Sequence, residues 1–413
     1  SYAARGYYET IRANRPNLKV ICEALVNRVV LDCNKATGVS FTHAGVEYQV
    51  SAQREVIVSG GTIQSPQILE LSGIGDPEVL QAAGVECKVA NRGVGANVQD
   101  HTLTLTVMEV QPGVITQDTL NQVPEAMQAA TKQYAEDSGG PLSSISSLQG
   151  FFPARKILSE PELAEIIQSI RDVKPNSTFH AKQLAQTIAN LESDHSANMQ
   201  LVTVPGSMNP HGIYHQRRII QPRKRGEPAG LTLAACIQYP VSRGTIHIES
   251  AGKLRTKHQS LLFPIYIQML MCPDPTKPPI ISPNYGGHSA DISLLAAFLR
   301  WTDKVTKSKH VKSSFLRRAY PEPKINLQNM DEAREAVHDL VAGEYHISGS
   351  VAMGDALDSR LRVKGVEALR VVDASIFPNN VSGNIVSSVY AVAEKAADMI
   401  REDWDLRAPQ TMM

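Results

Sequence analysis

Two residues in the last fifth of the chain, His346 and Asn384, have the types and settings that acid–base chemistry on a hydroxyl group needs. A neutral histidine takes up a hydroxyl proton near neutral pH more readily than any other side chain. An asparagine amide beside it donates a hydrogen bond to the oxygen left behind. His346 stands in Glu344-Tyr-His-Ile-Ser-Gly-Ser-Val-Ala-Met-Gly354, and Asn384 in Ser382-Gly-Asn-Ile-Val386, just ahead of an apolar-periodic segment. Asn384 can also cap that segment as a helix N-cap, and the two roles are compatible. A lone histidine is ordinarily a satisfied core or surface residue, and that reading serves the other eleven of the twelve histidines.

The elements that must position these residues follow from pattern. Short β segments are expected at 18–21, 25–31, 38–42, 47–50 and 55–58, with turn formers such as Asn34 and Gly45 between them. After Gly60 and Gly61, a helical spacing over 65–72 ends at Gly73. A glycine-flanked strand-to-helix turn is where backbone amides meet an anionic ligand. Helical patterns follow at 118–136 and 160–169, separated by a Ser-Gly-Gly-Pro-Leu-Ser loop that suggests a lid or connector. Strand-like runs at 200–204, 231–239 and 245–249 argue for an antiparallel sheet in a second domain. Helices are expected at 291–306 and 330–341, a buried strand at 369–372, and an amphipathic helix at 384–401.

Bulk properties remove several partners. Lysine plus arginine equals aspartate plus glutamate, 41 each, so no net field favours nucleic acid or an anionic membrane. The longest apolar run, 261–272, is broken by Pro264 and falls short of the roughly 20 residues that cross a bilayer. The first residues lack the pattern of a signal peptide, and the compartment stays open. Cys22, Cys33, Cys87, Cys236 and Cys272 form no CxxC pair and read as buried or idle thiols. His211 and His215 stand four apart, but Gly212 and the preceding Asn-Pro disfavour a helix, so no metal site is assigned.

Gly61-Thr-Ile-Gln-Ser-Pro-Gln-Ile-Leu-Glu-Leu-Ser-Gly-Ile-Gly75, together with the loop around His346 and the run Leu369-Arg-Val-Val-Asp-Ala-Ser-Ile-Phe-Pro378, resembles the glucose-methanol-choline (GMC) family of flavoprotein oxidoreductases. The likeness is strong at both ends and weak from about 103 to 230, where substrate domains diverge. It implies FAD as cofactor, a small alcohol-type substrate, and hydride transfer to the flavin with His346 as general base. Asn384 falls at the family's second catalytic position. Asp373 and Ala374 match the pair whose amides approach the FAD pyrophosphate, with Ile385 and Val386 near the isoalloxazine. Val26, in Ala24-Leu-Val-Asn-Arg-Val-Val30, aligns with the strand valine beside adenine, and Asn97, in Val94-Gly-Ala-Asn-Val-Gln-Asp-His101, with the loop beside the flavin. Oxygen or another acceptor takes the electrons, and a role in fungal secondary metabolism fits the type.

The implied fold is an α/β, Rossmann-like FAD-binding domain over 1–102 and 344–413, plus an α+β substrate domain with an antiparallel sheet over 103–343. The sequence departs from the family pattern in having no Gly-x-Gly-x-x-Gly, so the N-terminal βαβ unit of the flavin domain is expected to be incomplete. A catalytically inactive remnant, or a lyase on the same scaffold, therefore stands as the alternative. The segment 252–273 interrupts the family pattern, which resumes at Asp274-Pro-Thr-Lys-Pro-Pro-Ile280. Its junctions are compatible with intron borders, so it reads as a retained intron or a surface loop.

Overall fold

In the computed structural model, the described residues are 2–143, 148–213, 216–219, 223–249 and 274–405. The segment 252–273, His215 and Cys272 lie outside them.

Three antiparallel strands come first: β1 (Ala24–Asp32), β2 (Lys35–His43) and β3 (Val46–Ser51). The β2–β3 hairpin turns through Ala44 and Gly45, both at positive φ, the backbone that matches the twist of paired strands. β4 (Val56–Val58) then runs into α1 (Gly61–Leu71), and α2 (Pro77–Ala83) is capped by the Asp76 carboxylate. β5 (Thr102–Val110) is buried at all nine positions and crosses into the second half of the molecule. Beyond it lie α3 (Gln117–Gln122), α4 (Pro124–Asp137), β6 (Leu148–Phe152), α5 (Glu160–Arg171), α6 (Thr178–Glu192), β7 (Met199–Val204) and β8 (Gly230–Ile237). The chain continues with β9 (Thr245–His247), β10 (Ile280–Ser282), α7 (Ser289–Thr306), β11 (Phe315–Tyr320) and α8 (Met330–Asp339). It returns to the first half through β12 (Leu369–Val371) and α9 (Val386–Asp403).

Two cores result. One surrounds α7, apolar on nearly every face, with Leu295, Phe298 and Leu299 fully buried against the sheet β11-β5-β8-β7-β6 and against α5 and α6. A helix hydrophobic all round belongs inside a core. Asp291, near its start, is buried and accepts from Val241 N at 2.7 Å and Ser242 N at 2.9 Å, which pins α7 to the end of β8. The second core joins Val29, Val56, Val58 and Leu69 to Leu369, Val371, Ile376 and Ala396, so residues from both ends of the chain close one unit. There β4 and β12 pair in parallel, with Val56 opposite Leu369 and Val58 opposite Val371.

Three expectations are corrected. Residues 18–21 form no strand: Leu18, Val20 and Ile21 are exposed, and an extended segment without a partner gains no ladder. The helix expected over 118–136 is broken at Val123, because Pro124 restricts the residue before it to extended backbone; Val123 has φ −120° and ψ 100°. The last helix begins at Val386, with Ile385 rather than Asn384 at its N-cap position. The other expected elements are present with small shifts of their ends, while α2, β5, β6, α6, β10 and β11 were not anticipated.

Candidate active site

The segments 94–101 and 344–351 run antiparallel beside each other. Gln99 and Ser348 exchange backbone bonds of 2.9 and 2.8 Å, and Glu344 N donates to His101 O at 2.8 Å. Close approach requires Gly349, at φ +85°, where a Cβ would meet Asn97 O at 2.7 Å. The buried Asp100 carboxylate accepts from His346 N at 2.8 Å and from Tyr285 OH at 2.8 Å. Burial pushes its pKa up to about 6, against the pull of those two donors. Tyr345 holds a left-handed φ of 65° between Glu344 and His346, a strained backbone at a place where side chains converge.

The pairing sets the histidine rings face to edge, with centroids 5.0 Å apart. His101 Nε2 lies 2.9 Å from Val381 O, and a carbonyl only accepts, so the proton of neutral His101 sits on Nε2. Burial, with His346 beside it, lowers the His101 pKa to about 3 and keeps the ring neutral. His101 Nδ1 is then an acceptor, and His346 Nδ1, 3.0 Å away, must donate to it. That leaves a lone pair on His346 Nε2, which accepts from the Asn384 side-chain amide at 3.1 Å. Both expected catalytic residues thus meet, and the tautomer of His346 follows from a carbonyl two partners away.

The loop carrying Asn384 is held from the second sheet. Gly383 N donates to Gln238 Oε1 at 2.6 Å, Gln238 Nε2 to Gln200 Oε1 at 3.0 Å, and Gln200 Nε2 to Gln149 Oε1 at 3.2 Å. This ladder of amides crosses β8, β7 and β6. Neither it nor His101 was anticipated as part of the site. For His101 the signal was present, since it closes the motif that contains Asn97.

The expected cofactor residues form two groups. Asp373, just past β12, accepts from Gly61 N at 2.9 Å, Ser65 Oγ at 2.6 Å and Ser375 N at 2.7 Å, so the turns after both parallel strands are clasped together. Ala374 O accepts from Gly349 N at 3.1 Å, which joins this clasp to the histidine loop. Asn97 belongs to the same cluster, but its side chain is spent on structure: the amide donates to Gly349 O and Pro378 O, and its oxygen accepts from Gln183 and Arg243. Ile385 is buried and Val386 is 63% exposed at the first turn of α9. Val26 stands apart, lining a cavity of about 330 Å³ with Val56, Val58, Gly60 and Gln64.

Two profiles of one family, both described as GMC oxidoreductase, match residues 3–103 and 266–393. The chain belongs to the GMC oxidoreductase family. The family is one of FAD-dependent enzymes. Dehydrogenase mpl7 of Monascus purpureus is 36% identical over 417 residues, covering 98% of this chain and 63% of the relative. Patulin synthase of Penicillium expansum is 29% identical, covering 92% of this chain and 54% of the relative. An FAD-dependent oxidoreductase structure from Chaetomium thermophilum superposes with a TM-score of 0.80 at 20% identity, over 98% of this chain and 65% of that one, a likeness of fold. The chain thus spans less than two thirds of the length of these relatives. Among the described residues, no helix is long and apolar enough to cross a membrane.

Proposed function

We propose that this chain carries the base and much of the cofactor wall of an FAD-dependent enzyme that oxidises a small CH–OH substrate. The observation that carries this reading is the bond from His101 Nε2 to Val381 O, which leaves His346 Nε2 as a lone pair directed at the Asn384 amide. A substrate hydroxyl placed between these groups gives its proton to His346 Nε2, while the Asn384 amide donates to the substrate oxygen. Bound FAD would supply the hydride-accepting chemistry, with oxygen or another acceptor as the final oxidant.

The residues present fit that cofactor on one side. Gly61 has φ +76°, and nothing lies within 4 Å of where its Cβ would stand, so open space adjoins the turn after β4. Ligands of parallel sheets bind outside the carboxyl ends of the strands, where Gly60, Gly61, Asp373 and Ala374 are found. No side chain caps α9, so its first N–H groups and its positive end favour negative charge beside His346. Val26, Ala374, Ile385, Val386 and the backbone around Asn97 are the further residues proposed to hold FAD. The glycine turn that holds the pyrophosphate elsewhere in the family is absent from these 413 residues. We propose that it comes from polypeptide outside them; a remnant without redox activity is the competing reading. The likeness to patulin synthase favours substrates of fungal secondary metabolism.

The test is anaerobic mixing of the FAD-loaded protein with simple aliphatic and aryl alcohols, following loss of flavin colour. Replacement of His346 by Gln is expected to slow that bleaching by roughly 100- to 10,000-fold, the usual worth of a general base. Bound FAD that no alcohol bleaches favours the lyase or remnant reading, and unchanged bleaching in the variant removes His346 as base.

A further inference from the structure

Glu344 is the one member of the site without an evident task. Its Oε2 is buried and has no hydrogen-bond partner. Among the described residues its ion-pair neighbours are two histidines and no lysine or arginine. A buried carboxylate oxygen without a proton or cation is costly. What surrounds it is specific: His101 Nδ1 lies at 3.7 Å and His346 Nδ1 at 3.6 Å, and these two nitrogens are 3.0 Å from each other. The point equidistant from three atoms so spaced is about 2.0 Å from each, the length of zinc–imidazole and zinc–carboxylate bonds.

We propose that His101 Nδ1, His346 Nδ1 and Glu344 Oε2 form a binding site for a divalent transition cation of the zinc class. Two imidazoles and one carboxylate suit zinc, with a further position left for water or another ligand. His101 already has the outer partner that metal-binding histidines use, since its other ring nitrogen donates to the Val381 carbonyl. The ligand loops are held in place by the Glu344 N to His101 O bond and by the Asp100 carboxylate on His346 N, so little ordering remains for binding to demand. Cys236, also buried, is not one of the three clustered residues.

On binding, the cation takes the place of the proton shared by the two Nδ1 atoms, and that proton leaves to solvent; no electrons move. The cation and the catalytic tautomer therefore exclude one another, which makes the site inhibitory. Binding needs neither flavin nor substrate, so it is tested apart from the redox reading.

The experiment titrates ZnCl2 into the untagged, chelator-treated 413-residue protein by calorimetry, beside Glu344→Gln and His101→Asn variants whose folding is checked by circular dichroism. One site per chain is expected, weakened in either variant by more than the roughly 10- to 100-fold typical of outer-shell changes. Cobalt(II) added to the wild-type protein gives a second reading that needs no variant. Intense visible bands of low-coordinate cobalt, without thiolate charge transfer, are expected. Absence of uptake, uptake that both variants leave unchanged, weak six-coordinate cobalt bands, or a thiolate band would each overturn the proposal.

Discussion

Asp373 shows how a single residue can serve both halves of a split unit. Its two oxygens accept from Gly61 N, Ser65 Oγ and Ser375 N, joining α1 to the end of β12 across 312 residues of sequence. Bonds to a charged acceptor are worth about 1.5–3 kcal/mol each, and losing the acceptor strands buried donors. Asp373→Ala is therefore expected to lower unfolding stability by about 3 kcal/mol, and Asp373→Asn by less, as read from urea midpoints. A variant as stable as the wild type would show that the clasp is replaced by water. Asp373, His346 and Asn384 were singled out in the sequence because each lies in a motif that matches the family pattern, but the clasp made by the Asp373 side chain was not anticipated. Glu344 and His101 were not read as site residues. Their side chains approach across more than 240 positions of sequence, and no local periodicity records a contact between two loops so far apart.

At the scale of elements, legibility followed the strength of the local pattern. β1, β2 and β3 alternate and end in turn formers, and α7, α8 and α9 keep helical spacing over at least ten residues, so all were found near their true bounds. α6 was missed although Ser177 caps it through a bond from His180 N, because lysine and glutamine dilute its apolar stripe. β5 carries a plain Thr-Leu-Thr-Leu-Thr-Val alternation and was overlooked beside the loop that precedes it. The junction of α5 with α7 carries a pH prediction. Glu162 caps α5 through Ser159 and accepts from Arg300 Nη1 at 2.6 Å. The Arg300 guanidinium, helped by Ser159, lowers the Glu162 pKa to about 2 from 4.5. A depressed carboxylate stabilises the fold above its unfolded pKa and loses that contribution as pH falls through the folded one. Glu162→Gln should then cost about 1 kcal/mol at neutral pH, screening by solvent considered. The gap should narrow below about pH 4.5 and close near pH 2. Melting curves across that range decide it; a gap independent of pH would assign the loss to the cap geometry alone.

For the whole molecule, the two cores are unequally covered. α7 is buried over most of its length, whereas α9, also amphipathic, has only Ala396 buried. Val386 is 63% exposed, and Tyr390 is met by Tyr7 at a ring distance of 5.8 Å. The parallel pair β4–β12 has the same character. Among the described residues no strand pairs with the outer edge of β4, and Ile57 there is 43% exposed. Parallel sheets ordinarily have both faces covered, and an open apolar edge is a template for another strand. If the missing glycine turn is supplied by further polypeptide, this edge is the place where its strand would pair. The 413-residue chain alone should instead associate with itself. Light scattering after size exclusion is expected to give a mass that rises with concentration, and Ile57→Lys is expected to return it to the monomer without changing the circular dichroism spectrum. A wild-type chain that stays monomeric at every concentration, or a variant that associates equally, would mean that the β4 edge is not adhesive. The exposure of α9 would then have to be explained without a partner for the sheet.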